Sequence, residues 1–181
     1  MMQHCPVSIS IGGMQRRTLL QLGLGATALL AIAGGGLALL KPGLAQGRMT
    51  AGARAVFHAV ARAVLEGTLP TQAPQRDAAL TAHLARLDDA LAGFPQHVQS
   101  ELSQLLALLA SAPGRATLAG LGTDWPDASV REVQDAMQSM RTSGLALRQQ
   151  AYHALRDLTN AAYYADPATW SSLGYSGPRD L

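Results

Sequence analysis

Aromatic residues and cysteine are both scarce in this chain, and each shortage limits what the protein can be. Phe, Tyr and Trp make up 4% of the residues while hydrophobic types make up 48%, so Leu, Ala and Val must fill the interior. Leu and Ala favour helices, and runs of β-branched residues are rare, so the composition predicts helix rather than sheet. Cys5 is the single cysteine. An internal disulfide and a multi-thiolate metal site are therefore excluded.

Clustered positive charge and familiar catalytic motifs are also lacking. The formal net charge is +2, but three of the 14 basic residues precede residue 47, leaving 11 basic against 12 acidic residues in 47–181. That balance lacks the clustered basic face that nucleic-acid binding needs, so we predict no nucleic-acid partner. Neither a Gly-x-Ser-x-Gly nucleophile elbow nor a Cys-x-x-Cys-His haem attachment sequence occurs. We predict no catalytic, cofactor-binding or metal site in this chain.

The N-terminal region contains the most specific pattern. Arg16 and Arg17 stand directly before a charge-free run, residues 18–40, that contains several glycines. Paired arginines before such a segment are typical of the twin-arginine signal, which exports folded proteins through the twin-arginine translocase. The run would measure roughly 34 Å as a helix, long enough to cross a bilayer. We therefore predict a periplasmic protein, free or attached to the inner membrane.

The chain divides at residue 46 into a signal region, 1–46, and a helical domain, 47–181. Met14 directly precedes the signal motif, so residues 1–13 are either part of the signal region or an over-extended start. Small residues at Gly43 and Ala45 favour cleavage after Ala45. The alternative is an uncleaved signal helix that keeps contact with the membrane.

Hydrophobic residues recur at helical spacing from Thr50 onward, which predicts an all-α bundle of about five helices and no strand. Ser129 and Glu132 form a capping-box sequence that would begin one helix. The widest apolar surface belongs to the third helix, which we expect to be the most buried. Asp88 and Asp89 are expected to face water. The predicted inward positions are Val56, Phe57, Val60 and Val64, then Leu80, Leu84, Leu87 and Leu91, then Val98, Leu102, Leu105 and Leu109, then Val130, Val133, Met137 and Met140, and finally Leu147, Ala151, Leu155, Leu158 and Ala162.

Four histidines lie in the helical domain without metal-site spacing. We interpret them as solvated or hydrogen-bonded structural residues, and haem held non-covalently by one of them stays open as an alternative. They are His58, His83, His97 and His153.

Aromatic residues collect at the C-terminus. Three of the four tyrosines and one of the two tryptophans fall within residues 163–181. The last helix is predicted to end near Asp166-Pro167, and an irregular tail follows it. One interpretation is that the tail folds back and its rings close the end of the bundle. The other is a docking surface, because Tyr and Trp dominate the energetic centres of interfaces.

These residues resemble the small-subunit family of gluconate 2-dehydrogenase-type complexes, called subunit 3 or gamma. The likeness follows the whole chain in outline, and only its C-terminal part is specific. A shorter insertion after Pro70 departs from the family pattern. The matches, in chain order, are the twin-arginine leader, Leu69-Pro70-Thr71, Ala154-Leu155-Arg156-Asp157-Leu158-Thr159, and Tyr163-Tyr164 continuing to Trp170 and Leu173-Gly174-Tyr175-Ser176-Gly177-Pro178.

The resemblance implies a non-catalytic accessory subunit. Members accompany a large flavoprotein dehydrogenase of the glucose-methanol-choline class, which holds FAD, often together with a cytochrome c subunit that holds haem c. The small subunit supplies the export signal, and the flavoprotein travels with it. On this reading Arg156 pairs with a group on the partner, or else makes a salt bridge near its own helix. The aromatic anchors expected for the partner are Tyr163, Tyr164, Trp170 and Tyr175.

A different function stays open as the alternative, a free-standing periplasmic helical protein that binds a small ligand or a lipid in its bundle.

Overall fold

The computed structural model describes residues 40–175, so the predictions for residues 1–39, including Arg16 and Arg17, and for residues 176–181 lie outside it. The prediction of an all-α bundle is confirmed for the described residues. No helix within residues 40–175 is long and apolar enough to cross a membrane. The helices are α1 Ala51–Val64, α2 Ala73–Ala92, α3 Gln96–Ala110, α4 Ala112–Gly114, α5 Val130–Arg141 and α6 Ala146–Tyr164; a π-helical turn spans Arg115–Ala119 and a 3-10 helix spans Pro167–Leu173.

Helix α1 forms the centre of the bundle and packs against α2, α3, α5 and α6. Seven of its 14 residues are buried, whereas α3 buries Leu106, Ala107 and Leu109 only. The expectation that the third helix is the most buried is therefore wrong. Small residues explain the difference, because four of the buried α1 residues are alanines and let neighbouring helices approach closely. The leucines of α3 make its sequence more apolar, but fewer neighbouring helices pack around α3 than around α1.

The helix boundaries follow local sequence signals. Ser129 and Glu132 form the predicted capping box at the start of α5, each satisfying a backbone N–H of the other. Hydrogen bonds from Ser129 and Thr123 to the Glu132 carboxylate lower its pKa. Pro74 lies in the first turn of α2, and Gly93 follows its last residue. The loop predicted after Gly122 is present, and the buried Trp125 indole N–H donates to the Leu109 carbonyl at 2.7 Å.

A β-hairpin precedes α1, in a place where no strand was predicted. Strand β1, Leu44–Ala45, pairs antiparallel with β2, Arg48–Met49, and residues 46 and 47 form the turn. Leu44 and Met49 are paired across the hairpin and are both buried against the bundle. The hairpin therefore belongs to the compact unit that begins at Leu40.

This hairpin also corrects the prediction that Asp88 faces water. The Asp88 carboxylate is 3% exposed, accepts the Met49 backbone N–H at 2.8 Å and pairs with the Arg54 guanidinium. Asp89 does face water, as predicted. Helical spacing placed both aspartates beside the Leu87 and Leu91 face, but it gave no indication that a hairpin would cover one of them.

Candidate partner-binding surface

The C-terminal end of α6 and the 3-10 helix after it are held together by an ion pair. Arg86 on α2 donates to the Ala162 carbonyl at 2.9 Å and to the Asp166 carboxylate at 3.0 Å. The other oxygen of Asp166 accepts the Ala168 backbone N–H at 3.0 Å, so the carboxylate begins the 3-10 helix. Because both Arg86 and Asp166 are partly buried, this pair is less screened by solvent than a surface pair. It fixes where the tail leaves the bundle.

Trp170 and Tyr175 form a ring pair on this tail. Their ring centroids are 5.4 Å apart with a tilt of 54°. The Trp170 indole N–H donates to the Tyr164 carbonyl at 2.7 Å, and the Tyr175 backbone N–H donates to the Trp170 carbonyl at 3.1 Å. Trp170 is half-buried and Tyr175 is 51% exposed. The tail therefore presents a hydrogen-bonded aromatic surface, and its residues Pro167–Leu173 form a 3-10 helix that the sequence did not indicate.

The two tyrosines at the end of α6 lie further inside. Tyr163 is 4% exposed, and its hydroxyl donates to the Thr68 carbonyl at 3.1 Å. Its ring packs edge-on against Tyr164, with centroids 5.2 Å apart. Tyr164 is half-buried, and its carbonyl holds Trp170. In this conformation Tyr163 belongs to the core, and the surface available to a partner comes from Trp170, Tyr175 and part of Tyr164.

Arg156 lies apart from the aromatic tail, on the middle of α6. Its guanidinium pairs with the neighbouring Asp157 at 3.0 Å, which is the salt bridge considered from the sequence. Both side chains are about half exposed, so the pair contributes at most about 1 kcal/mol and can be exchanged for another partner. Arg156 also borders a groove of about 230 Å³ between α1, α5 and α6. The other lining residues are Ala63, Val64, Gln134, Met137, Gln138 and Tyr152.

The histidines are not brought together. No group of three or more metal-ligating side chains is found among residues 40–175. His97 and His153 are exposed and His58 is half-buried, where burial and the nearby Arg62 lower its pKa. His83 is the exception to the predicted pattern, because it is fully buried and neither ring nitrogen has a hydrogen-bond partner among the described residues. Burial, together with the nearby Arg86, lowers the pKa of His83 to about 4.

This lowered pKa predicts an acid-sensitive contribution to stability. In the unfolded chain the pKa of His83 returns to its ordinary value of 6.5. Between pH 6.5 and 4 the unfolded chain therefore binds a proton at His83 that the folded chain does not bind. The contribution is complete above pH 6.5 and is lost as the pH falls toward 4. At 1.36 kcal/mol per pKa unit, the total loss in free energy of unfolding is about 3 kcal/mol.

Urea unfolding at a series of pH values measures this effect. We expect His83→Leu to flatten the decline between pH 6.5 and 4, while His97→Leu, which alters an exposed histidine, keeps the decline of the unaltered chain. Parallel curves for His83→Leu and the unaltered chain would contradict the prediction.

Comparison with known proteins adds no further constraint. No family model, curated protein or solved structure matches this chain. The resemblance to the small-subunit family therefore remains a prediction from the residues themselves.

Sequence reasoning missed the residues that support the aromatic tail. Arg86 lies on α2, 80 residues before Asp166, and its ion pair depends on how two helices pack. The Asp166-Pro167 step indicated the end of α6, but it did not identify the cation that binds the aspartate. His83 could have been found, because it lies three residues after Leu80 and four before Leu87, on the apolar face of α2.

Proposed function

We propose that this chain is the non-catalytic small subunit of a periplasmic FAD-dependent dehydrogenase complex. It carries the twin-arginine signal and binds a large flavoprotein subunit, whose folded export, maturation and stability it supports. FAD belongs to the large subunit, as does the oxidation of substrate, and a cytochrome c subunit with haem c completes the complex in many members of the resembled family.

The observation that carries the proposal is the Trp170–Tyr175 ring pair. In a chain with 4% aromatic residues, the half-buried Trp170 and the half-exposed Tyr175 lie side by side, and hydrogen bonds to backbone carbonyls hold them there. A surface ordered in advance loses little entropy on binding, and buried aromatic anchors supply much of the energy of an interface. Such a surface suits a partner that must stay bound throughout export.

The export chemistry gives the second support. A flavoprotein acquires FAD in the cytoplasm, so it has to cross the membrane in its folded state. A signal on a companion can serve this purpose only if the two chains remain associated during transport. A stable interface of this kind buries at least about 1,000 Å² in total, more than two rings supply. Arg156 and Tyr164 are proposed to extend the contact.

The alternative of a small-ligand carrier has weaker support. The groove beside Arg156 has a volume of about 230 Å³, below the roughly 300–1,000 Å³ of typical ligand pockets. A visible absorption band of haem in the pure protein would support the histidine-based alternative instead.

Co-purification from the native host tests the proposal. We expect the tagged chain to bring down a flavoprotein with bound FAD, and the double variant Trp170→Ala/Tyr175→Ala to lose it. Two aromatic anchors of about 2 kcal/mol each would weaken binding by at least about 100-fold. The helical content should stay unchanged, because Tyr175 is exposed and Trp170 lies outside the main core.

The matched control lies at the other end of α6. Leu145 and Leu147 are also exposed hydrophobic residues, 65% and 39% exposed, so Leu145→Ala/Leu147→Ala removes a similar amount of apolar surface. If the tail variant retained the flavoprotein and this control lost it, the interface would lie at the N-terminal end of α6. That result would contradict the proposed role of Trp170 and Tyr175. Loss of helicity in the tail variant would support the interpretation that the tail closes the bundle.

A further inference from the structure

The hairpin of residues 43–49 spans the predicted boundary at residue 46 and forms hydrogen bonds with α2, α3 and the residue before α1. The Gly43 backbone N–H donates to the Ser103 carbonyl at 3.1 Å, and the Leu44 N–H donates to the Ser103 hydroxyl at 3.0 Å. The Thr50 N–H donates to the Gly43 carbonyl at 3.0 Å. These bonds fasten β1 to α3 and to the start of α1.

Gly43 permits this attachment because it has no side chain. A Cβ at this position would lie 2.5 Å from the Leu106 Cβ and 2.6 Å from the Ser103 carbonyl oxygen. Both distances are far shorter than a van der Waals contact, and the positions of both atoms are set by the backbone of α3. Any other residue would therefore push β1 away from the helix.

The opposite strand is fastened to α2. The Met49 side chain is buried, and its N–H is bonded to the buried carboxylate of Asp88, which also holds Arg54 of α1. The turn between the strands is tight, because Gln46 and Gly47 have φ values of 51° and 76°. Two successive residues of positive φ are characteristic of a type I′ hairpin turn.

The predicted cleavage site, the Ala45–Gln46 peptide bond, lies at this turn. A peptidase binds its substrate in an extended conformation, which Gln46 cannot adopt until the hairpin opens. The twin-arginine route carries folded proteins, so the hairpin would have formed before a peptidase could reach the bond. Cleavage there would separate Gly43 and Leu44 from the domain and uncover Leu106, which is buried in the bundle.

We propose that residues 43–49 are a structural part of the domain, that the Ala45–Gln46 bond stays intact, and that any mature form of this chain begins at or before Gly43. This inference rests on the proposed function in one respect, the identity of the N-terminal region as an export signal. The hairpin then couples the signal to the folded bundle.

The first test determines the N-terminus of the full-length chain after export in a bacterium with the twin-arginine route. Intact mass and N-terminal sequencing should give a first residue at or before Gly43, or an uncleaved signal. A first residue of Gln46 would overturn the proposal.

The second test does not depend on export. In the full-length chain, Gly43→Ala should lower the melting temperature by about 5–10 °C, because overpacking against α3 must be relieved by moving β1. Gly122→Ala is the matched control, because nothing lies within 4 Å of its added Cβ, and it should shift the melting temperature by less than about 2 °C. Equal melting temperatures for the two variants would refute the structural role of the hairpin. A chain that is never exported would instead refute the proposed function, and the melting comparison would still decide the role of the hairpin.

Discussion

Replacing Asp88 with Ala should lower the free energy of unfolding by about 3 kcal/mol. The carboxylate accepts the Met49 N–H and pairs with Arg54, so its removal leaves a buried backbone donor and a cation without their acceptor. Breaking a buried ion pair costs about 3–5 kcal/mol. The Arg54 side chain is 42% exposed and can turn to water, which places the effect at the lower end of that range.

Two further variants help to interpret this loss of stability: one separates the charge of Asp88 from its hydrogen bond to Met49, and the other is a control. Asp88→Asn keeps an oxygen for the Met49 N–H but turns an amide NH2, which cannot accept a hydrogen bond, toward Arg54. It therefore loses the ion pair and keeps the backbone hydrogen bond, and we expect a cost of about 1–2 kcal/mol. Asp89→Ala is the matched control, because Asp89 is 73% exposed and faces Arg48 at 3.6 Å, and its cost should stay within about 0.5 kcal/mol. Urea unfolding followed by circular dichroism measures all three. Equal losses for Asp88→Ala and Asp89→Ala would contradict the role assigned to the buried carboxylate.

The bundle itself could be predicted because helical spacing reports local amphipathicity. Leu80, Leu84, Leu87 and Leu91 are buried, and so are the predicted Val133, Met137 and Met140 of α5. Leu147 shows the limit of the pattern, since it continues the register of α6 and is nevertheless exposed. It lies in the first turn of the helix, where no other element within residues 40–175 buries it. The spacing of apolar residues identifies which face of a helix is apolar. It does not indicate how far along the helix the neighbouring helices cover that face.

The hairpin and the aromatic tail could be predicted only in part, because both depend on contacts between distant residues. The Gln46-Gly47 pair is a weak turn signal, and the adjoining strands are only two residues long, too short to show alternation. Tyr163 could have been assigned to the core, since it lies four residues after the buried Thr159 and eight after Leu155. The bond from Trp170 to a carbonyl of α6 fixes the aromatic surface, and no spacing rule indicates it.

Under the proposed function, changing Arg16 and Arg17 to Lys should hold both this chain and the proposed flavoprotein partner in the cytoplasm. Lysine keeps the charge but lacks the planar guanidinium, which presents several donors in a fixed geometry, so the exchange is not conservative where a receptor reads that geometry. Cell fractionation should show the periplasmic amount of both proteins falling by at least about tenfold, equivalent to about 1.4 kcal/mol of lost recognition. The complex itself should still form, because the substitution lies outside the domain.

The tail variant Trp170→Ala/Tyr175→Ala gives the complementary result. This variant keeps the export signal but lacks the aromatic surface proposed to bind the partner. It should therefore reach the periplasm alone, while the flavoprotein stays in the cytoplasm. The two variants thus separate the export signal from partner binding. The Lys-Lys variant keeps both associated proteins in the cytoplasm, whereas the tail variant is exported without the flavoprotein. A flavoprotein that still reaches the periplasm beside the Lys-Lys variant must have its own route of export. That outcome would refute the role of this chain as the carrier, whatever the strength of the interface.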